Sequence, residues 1–111
     1  MGGALRTIAR MRSLVPVLVA ALLLTACTGR PEPDATGPEI YSQLCARCHG
    51  NDLGGGIGPS LGAGSELADR SDDYLYSVIT RGRGSMPAFR TTLDDAQVDR
   101  LMQFIRSEQG G

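Results

Sequence analysis

Apolar residues recur at helical spacing in three stretches of the chain. Ile40, Leu44 and Cys48 repeat every fourth residue, with Tyr41 and Cys45 on the adjoining row. Ahead of them Thr36-Gly37-Pro38-Glu39 combines a capping-box pair with an early proline, both signals of a helix start. A first helix is predicted from about Pro38 to Arg47. Ser71, Asp72 and Asp73 offer an N-cap and an acidic first turn to a second helix through Tyr74, Leu75, Val78 and Ile79, with Arg81 in its last turn and Gly82 as terminator. Thr92 with Asp95 can cap a third, along which Val98, Leu101, Met102 and Ile105 follow the i, i+3, i+4, i+7 pattern and Phe104 widens the stripe. Glu66 to Asp69 reads as one further short helical turn. Nothing alternates with the period of a strand, so the expected architecture is all-α.

The segments between these helices are polar, glycine-rich or proline-rich. Residues 50–64 hold seven glycines, which let backbone approach a ligand closely, whereas Gly54 to Gly56 alone reads equally well as a loose loop. The run follows no predicted strand and matches no phosphate-binding fingerprint. Thr28 to Pro38 carries three prolines and no core-forming residue, which predicts an extended tether with a reach of ~35–40 Å over its 11 residues.

The one long apolar run, Leu14 to Leu24, is too short to cross a bilayer, which takes ~20 residues. Preceded by Arg6, Arg10 and Arg12, it reads as a signal peptide and places the mature chain outside the cytoplasm. Leu24-Thr25-Ala26-Cys27 resembles the lipobox of bacterial lipoproteins, which implies acylation of Cys27 and a lipid anchor in the membrane. The alternative, ordinary cleavage nearby, would leave Cys27 as an odd thiol in an oxidising compartment. The organisation expected is thus a signal peptide at 1–26, a flexible tether at 27–37 and a single domain at 38–111. With the three leader arginines removed, 8 basic residues face 12 acidic ones, a net charge of −4 that argues against nucleic-acid binding. There is no lysine, which excludes a P-loop and Schiff-base chemistry.

The chemistry concentrates in Cys45-Ala46-Arg47-Cys48-His49, the spacing of covalent c-type haem attachment. Residues three apart share a helix face, so both thiols can meet one ligand edge, with His49 beside them as an iron ligand. A structural zinc site needs four protein ligands, and once Cys27 is lipidated the chain retains only Cys45, Cys48 and His49. A thioredoxin-type pair would need a neighbouring βαβ pattern. The second axial ligand follows by elimination. There is no second histidine, Met1 and Met11 lie in the leader, and Met102 sits on an apolar helix face, which leaves Met86. Pro87 keeps Met86 out of helical geometry, as suits an extended segment crossing a cofactor face. Histidine–methionine ligation raises the potential and closes the iron to other ligands, so one-electron transfer is expected rather than catalysis.

Cys45-Ala-Arg-Cys48-His49-Gly50, Gly58-Pro59-Ser60-Leu61 and Met86-Pro87-Ala88-Phe89 in that order resemble the class I cytochromes c, especially the small bacterial monohaem proteins and the similar domains of dehydrogenases and haem-copper oxidases. The resemblance covers about Thr36 to Gln109. It implies three to five helices wrapped around one covalently bound haem c. It also implies that the carbonyl of Pro59 accepts from His49, that Leu61 packs on the haem, and that Tyr41 meets Leu101 and Phe104 where the terminal helices cross. Many relatives bond a propionate with tryptophan, which is absent here; Tyr74, Tyr76, Arg81 and Arg90 are the candidate substitutes. Arg47, Arg81, Arg83 and Arg90 are placed around the haem edge, either as a basic docking rim or as scattered solvated charges. The resulting expectation is a monomeric, membrane-tethered electron carrier serving redox protein partners. A dedicated subunit of a dehydrogenase or oxidase, and a haem sensor or peroxidase with a labile methionine, are the alternatives.

Overall fold

A computed structural model describes residues 29–110; the leader and Cys27 lie outside the described residues. Among these residues there are four α-helices, α1 (Gly37–Leu44), α2 (Ala46–His49), α3 (Asp72–Arg81) and α4 (Asp95–Glu108), with a 3-10 turn at Glu66–Asp69 between α2 and α3. There is no strand among the described residues, only an isolated antiparallel bridge between Arg83 and Met86. No helix among them is long and apolar enough to cross a membrane.

The start of α1 follows from its capping box. Thr36 N donates to Glu39 Oε2 at 2.7 Å, and Glu39 N returns a bond to Thr36 Oγ1 at 3.4 Å. The Thr36 N–H and then the Thr36 hydroxyl, both donating to Glu39 Oε2, hold the Glu39 carboxyl below its usual pKa. The single helix expected through Arg47 is instead two. At Cys45 the backbone opens to φ −113°, closing α1 through Cys45 N to Tyr41 O and opening α2 through His49 N to Cys45 O. In α3, Ser71 caps Tyr74 N, and Gly82 ends the helix at φ 74°.

The last helix is capped two residues later than Thr92. Asp94 and Gln97 form a reciprocal box, with Gln97 N to Asp94 Oδ1 at 2.8 Å and Asp94 N to Gln97 Oε1 at 2.9 Å. Thr92 is otherwise engaged: its N–H and that of buried Leu93 both donate to the Phe89 carbonyl, so 89–93 is a turn.

Helices α1 and α4 cross at Gly37, against the carbonyl of Arg100 and the Cβ of Phe104. One turn on, the rings of Tyr41 and Phe104 meet edge to face with centroids 5.5 Å apart, a favoured aromatic geometry. Ile40, Val98, Leu101 and Ile105 fill the crossing, and Leu75 and Ile79 of α3 extend the same core. Arg106 binds Asp72, Leu67 O and Arg70 O, joining α4 to the first residue of α3 and the segment before it.

The proline-rich stretch departs from the flexible tether expected over 27–37. Residues 30–36 lie as a strap on α4 and its approach: Arg30 donates to Thr91 O at 2.7 Å, Gln97 to Glu32 O at 3.0 Å, and Arg100 to Pro33 O at 2.8 Å and Ala35 O at 2.9 Å. Pro31 and Ala35 are buried.

Candidate functional site

Between α2, the glycine-rich loop, α3 and the 83–89 loop lies a cleft of about 630 Å3, within the range of small-molecule and cofactor sites. Cys45, Cys48 and His49 line one side; Met86, Pro87 and Phe89 also line it; Leu61, Leu67, Leu75, Val78 and Ile79 supply apolar wall. The kink at Cys45 and the short helix after it put all three motif residues on this one cleft. Burial pushes the Cys45 thiol up to about 12, with Cys48 adding to the shift.

The loop after the motif is laced back onto it. Gly55 N donates to His49 O at 2.8 Å and Gly58 N to Cys48 O at 2.7 Å. A side chain at Gly58 would sit 2.9 Å from His49 Cε1, so the backbone there lies on the imidazole. His49 is 8% exposed, and its Nδ1 donates to the Pro59 carbonyl at 2.8 Å. That bond assigns the proton to Nδ1 and leaves the Nε2 lone pair free to bind a metal. The segment bearing Pro59 is fixed in turn by Leu53, whose carbonyl accepts from Ser60 Oγ, Leu61 N and Gly62 N. Leu53 is 1% exposed and holds φ 62°. Such a conformation is uncommon in a non-glycine residue and is sustained here by these bonds and the buried side chain. Tyr41 donates to Gly50 O at 2.7 Å, and burial pushes its hydroxyl up to about 12, so it stays a donor at neutral pH.

Met86 is held by its backbone. Met86 N donates to Arg83 O at 2.9 Å and Arg83 N to Met86 O at 3.2 Å, while Phe89 N and Arg90 N bond to Ile79 O and Thr80 O at the end of α3. Gly82 makes this packing possible: at φ 74° a Cβ there would lie 2.5 Å from the Met86 carbonyl oxygen. Gly82→Ala should therefore lower stability by about 2 kcal/mol through overlap and positive-φ strain. A denaturant titration of the haem-loaded protein is the check.

The structure separates the polar candidates. Tyr74 lines the cleft, whereas Tyr76 turns to Asp95 with a 3.0 Å bond, and Arg81 and Arg90 are not on the cleft. Arg83 and Arg70, the latter not anticipated from sequence, are the two arginines that do line it. Arg83 donates to the Tyr74 hydroxyl, and the Arg70 guanidinium lies over the Tyr74 ring at 5.1 Å. Neither arginine has a carboxylate partner among the described residues. Of the rim proposed at Arg47, Arg81, Arg83 and Arg90, only Arg83 reaches the cleft wall.

A helical shell whose cleft brings together Cys-x-x-Cys-His, a proline carbonyl on the histidine, a methionine and two guanidiniums without a carboxylate partner among the described residues fits haem c, a group with two attachment points, an iron and two carboxylates. Fold and site define a c-type cytochrome domain. The chain belongs to the family described as cytochrome C oxidase, cbb3-type, subunit III, whose model matches residues 32–105. It is 44% identical over 74 residues to cytochrome c-551 of Bacillus subtilis, covering 66% of this chain but only 62% of that protein. It is 34% identical over 97 residues to cytochrome c55X of Stutzerimonas stutzeri, covering 82% of this chain and 84% of that one. Among solved structures the c-type cytochrome NirC superposes with a TM-score of 0.57 at 26% identity, over 64% of this chain and 85% of its own. The cofactor is covalently bound haem c, and Cys45, Cys48 and His49 fit its attachment motif.

Proposed function

We propose that this chain is a one-electron carrier outside the cytoplasm, held to a membrane through a lipid on Cys27 and not itself an enzyme. Cys45 and Cys48 would hold haem c through thioether links, and His49 and Met86 would be the residues that bind its iron. The observation that carries the reading is that His49 and Met86 line one cleft, His49 with Nδ1 committed to Pro59 and Nε2 free. Bound there, haem iron supplies the one-electron couple. The protein's part is to fix the imidazole tautomer, to present Met86 from a backbone-pinned loop, and to keep water off the cleft with Leu61, Leu75, Val78, Ile79 and Phe89. Leu61 is half-buried on the cleft wall, a position that suits packing on the cofactor.

The decisive experiment is a set of spectra in both oxidation states, with a pyridine assay for haem c and mass spectrometry of the N-terminal peptide. A protein without bound haem would remove the proposal. A second reading, a dedicated subunit of an oxidase or dehydrogenase, is favoured by the family description. Co-purification with one membrane complex would support it, and release of a free monomer would support the carrier.

Arg70, Tyr74 and Arg83 are assigned to the haem carboxylates, the role for which no tryptophan is present. A cation there favours the reduced, less positive iron. Arg83→Gln should accordingly lower the reduction potential on the order of tens of millivolts, with Arg83→Lys closer to the parent. The difference should shrink as salt is raised, since the cleft edge is open to solvent. Potentiometry at two ionic strengths tests this.

A further inference from the structure

The strap at 30–36 changes how far the haem domain can stand from its anchor. A free tether from Cys27 to Pro38 would allow a swing of about the domain's own diameter. Among the described residues the first clamped one is Arg30, bonded to Thr91 O. Only three peptide steps separate it from Cys27, and fully stretched these span about 10 Å.

The clamp is spread over the strap rather than resting on one contact. Gln97, itself 4% exposed, donates to Glu32 O, and the Arg100 guanidinium donates to Pro33 O and Ala35 O together. Gln97 is also half of the α4 capping box, so release of the strap takes a bond from a group that starts the last helix. The two arginine bonds are charge-assisted and so among the stronger kind. Prolines 31 and 33 lower the entropy lost on docking, and the family match itself begins at residue 32, inside the strap.

We propose that the strap, clamped by Arg30, Gln97 and Arg100, holds the lipid on Cys27 against the haem domain, so that the domain rests on the membrane surface and meets membrane-embedded redox complexes. The proposal rests on the lipidation of Cys27. On this short leash the carrier cannot sweep the space above the bilayer; it moves laterally with its lipid. Its donor and acceptor must then present their docking sites close to the headgroups.

The test uses the full haem-loaded, lipidated protein in phosphatidylcholine vesicles carrying a headgroup fluorophore, with the haem absorption acting as quencher. The parent protein should quench strongly. Inserting about 12 Gly and Ser residues between Gly29 and Arg30, which adds a coil of roughly 20 Å, should abolish most of that quenching while leaving the domain and its spectrum intact. Arg100→Ala, which frees the strap without lengthening it, should give a partial loss. A parent protein that quenches no more than the insertion variant would overturn the proposal. The mass of the N-terminal peptide and vesicle flotation separate the two levels: an unacylated Cys27 and no flotation defeat the anchoring itself, whereas an acylated, floating protein with weak quenching defeats only the short leash.

Discussion

Met86→Ala should give a haem protein whose reduction potential is lower on the order of 0.1 V or more, a fraction of the roughly 0.8 V over which axial ligands set haem potentials. Its ferrous form should take up carbon monoxide, which the parent should not. The substitution is a clean probe because the loop does not depend on the side chain. The mutual Arg83–Met86 backbone bonds and those of Phe89 and Arg90 to the end of α3 remain when Met86 is truncated. Met86→His should restore a six-coordinate iron at a potential below the parent's, because a second imidazole lacks the thioether's preference for the reduced metal. Met102, half-buried on α4 against the core, serves as control: Met102→Ala should cost stability and leave the potential alone. An unchanged potential and a carbon-monoxide-inert ferrous spectrum in Met86→Ala would show that another group holds the iron, and carbon monoxide uptake by the parent would favour the sensor or peroxidase alternative.

The contrast between what the chain's pattern disclosed and what it concealed has a physical basis. Ser71, Gly82 and the Thr36–Glu39 box act over three or four residues, so their effect is written locally, and the structure places α3 and the start of α1 accordingly. Cys45, Cys48 and His49 were legible for the same reason. Met86 emerged only because the alternatives could be counted, in a chain with one histidine and no lysine.

The strap was concealed because its partners lie more than sixty residues away. Arg30 bonds to Thr91, Gln97 to Glu32 and Arg100 to Pro33 and Ala35. Prolines in a polar segment mark a solvated linker when read locally, but they equally lower the cost of fixing a chain that long-range donors can reach. The Asp94 cap was missed because Thr92 and Asp94 both fit the local pattern, and the choice between them is made by Leu93. Its burial and its bond to Phe89 keep Thr92 inside a turn. Arg70 was missed because nothing local distinguishes it from any other surface arginine; its place over the Tyr74 ring belongs to the tertiary fold.

A loss of stability as large as that at Gly82 is expected from Gly37, read from sequence only as part of a helix start. Its missing side chain is what allows α1 to cross α4. An added Cβ would overlap the Arg100 carbonyl oxygen and stand 2.7 Å from the Phe104 Cβ. Both obstacles belong to the body of α4 rather than to the far end of a flexible side chain, so the helices must separate. Separation loosens the Tyr41–Phe104 contact and the packing of Ile40 on Leu101 and Ile105. Overpacking of this kind costs about 1–3 kcal/mol, and the reduced freedom of alanine in the unfolded chain returns up to about 1 kcal/mol. Gly37→Ala should thus lose about 2 kcal/mol, and Gly37→Val more, against a total of roughly 5–15 kcal/mol for a small domain. The signature in denaturant is a lower midpoint with an unchanged slope. Because Gly37, Tyr41 and Phe104 are not among the residues lining the cleft, the potential of the folded fraction should stay at the parent value. A shift in potential matching that of Met86→Ala would instead mean that the α1–α4 contact also sets the position of the axial ligands.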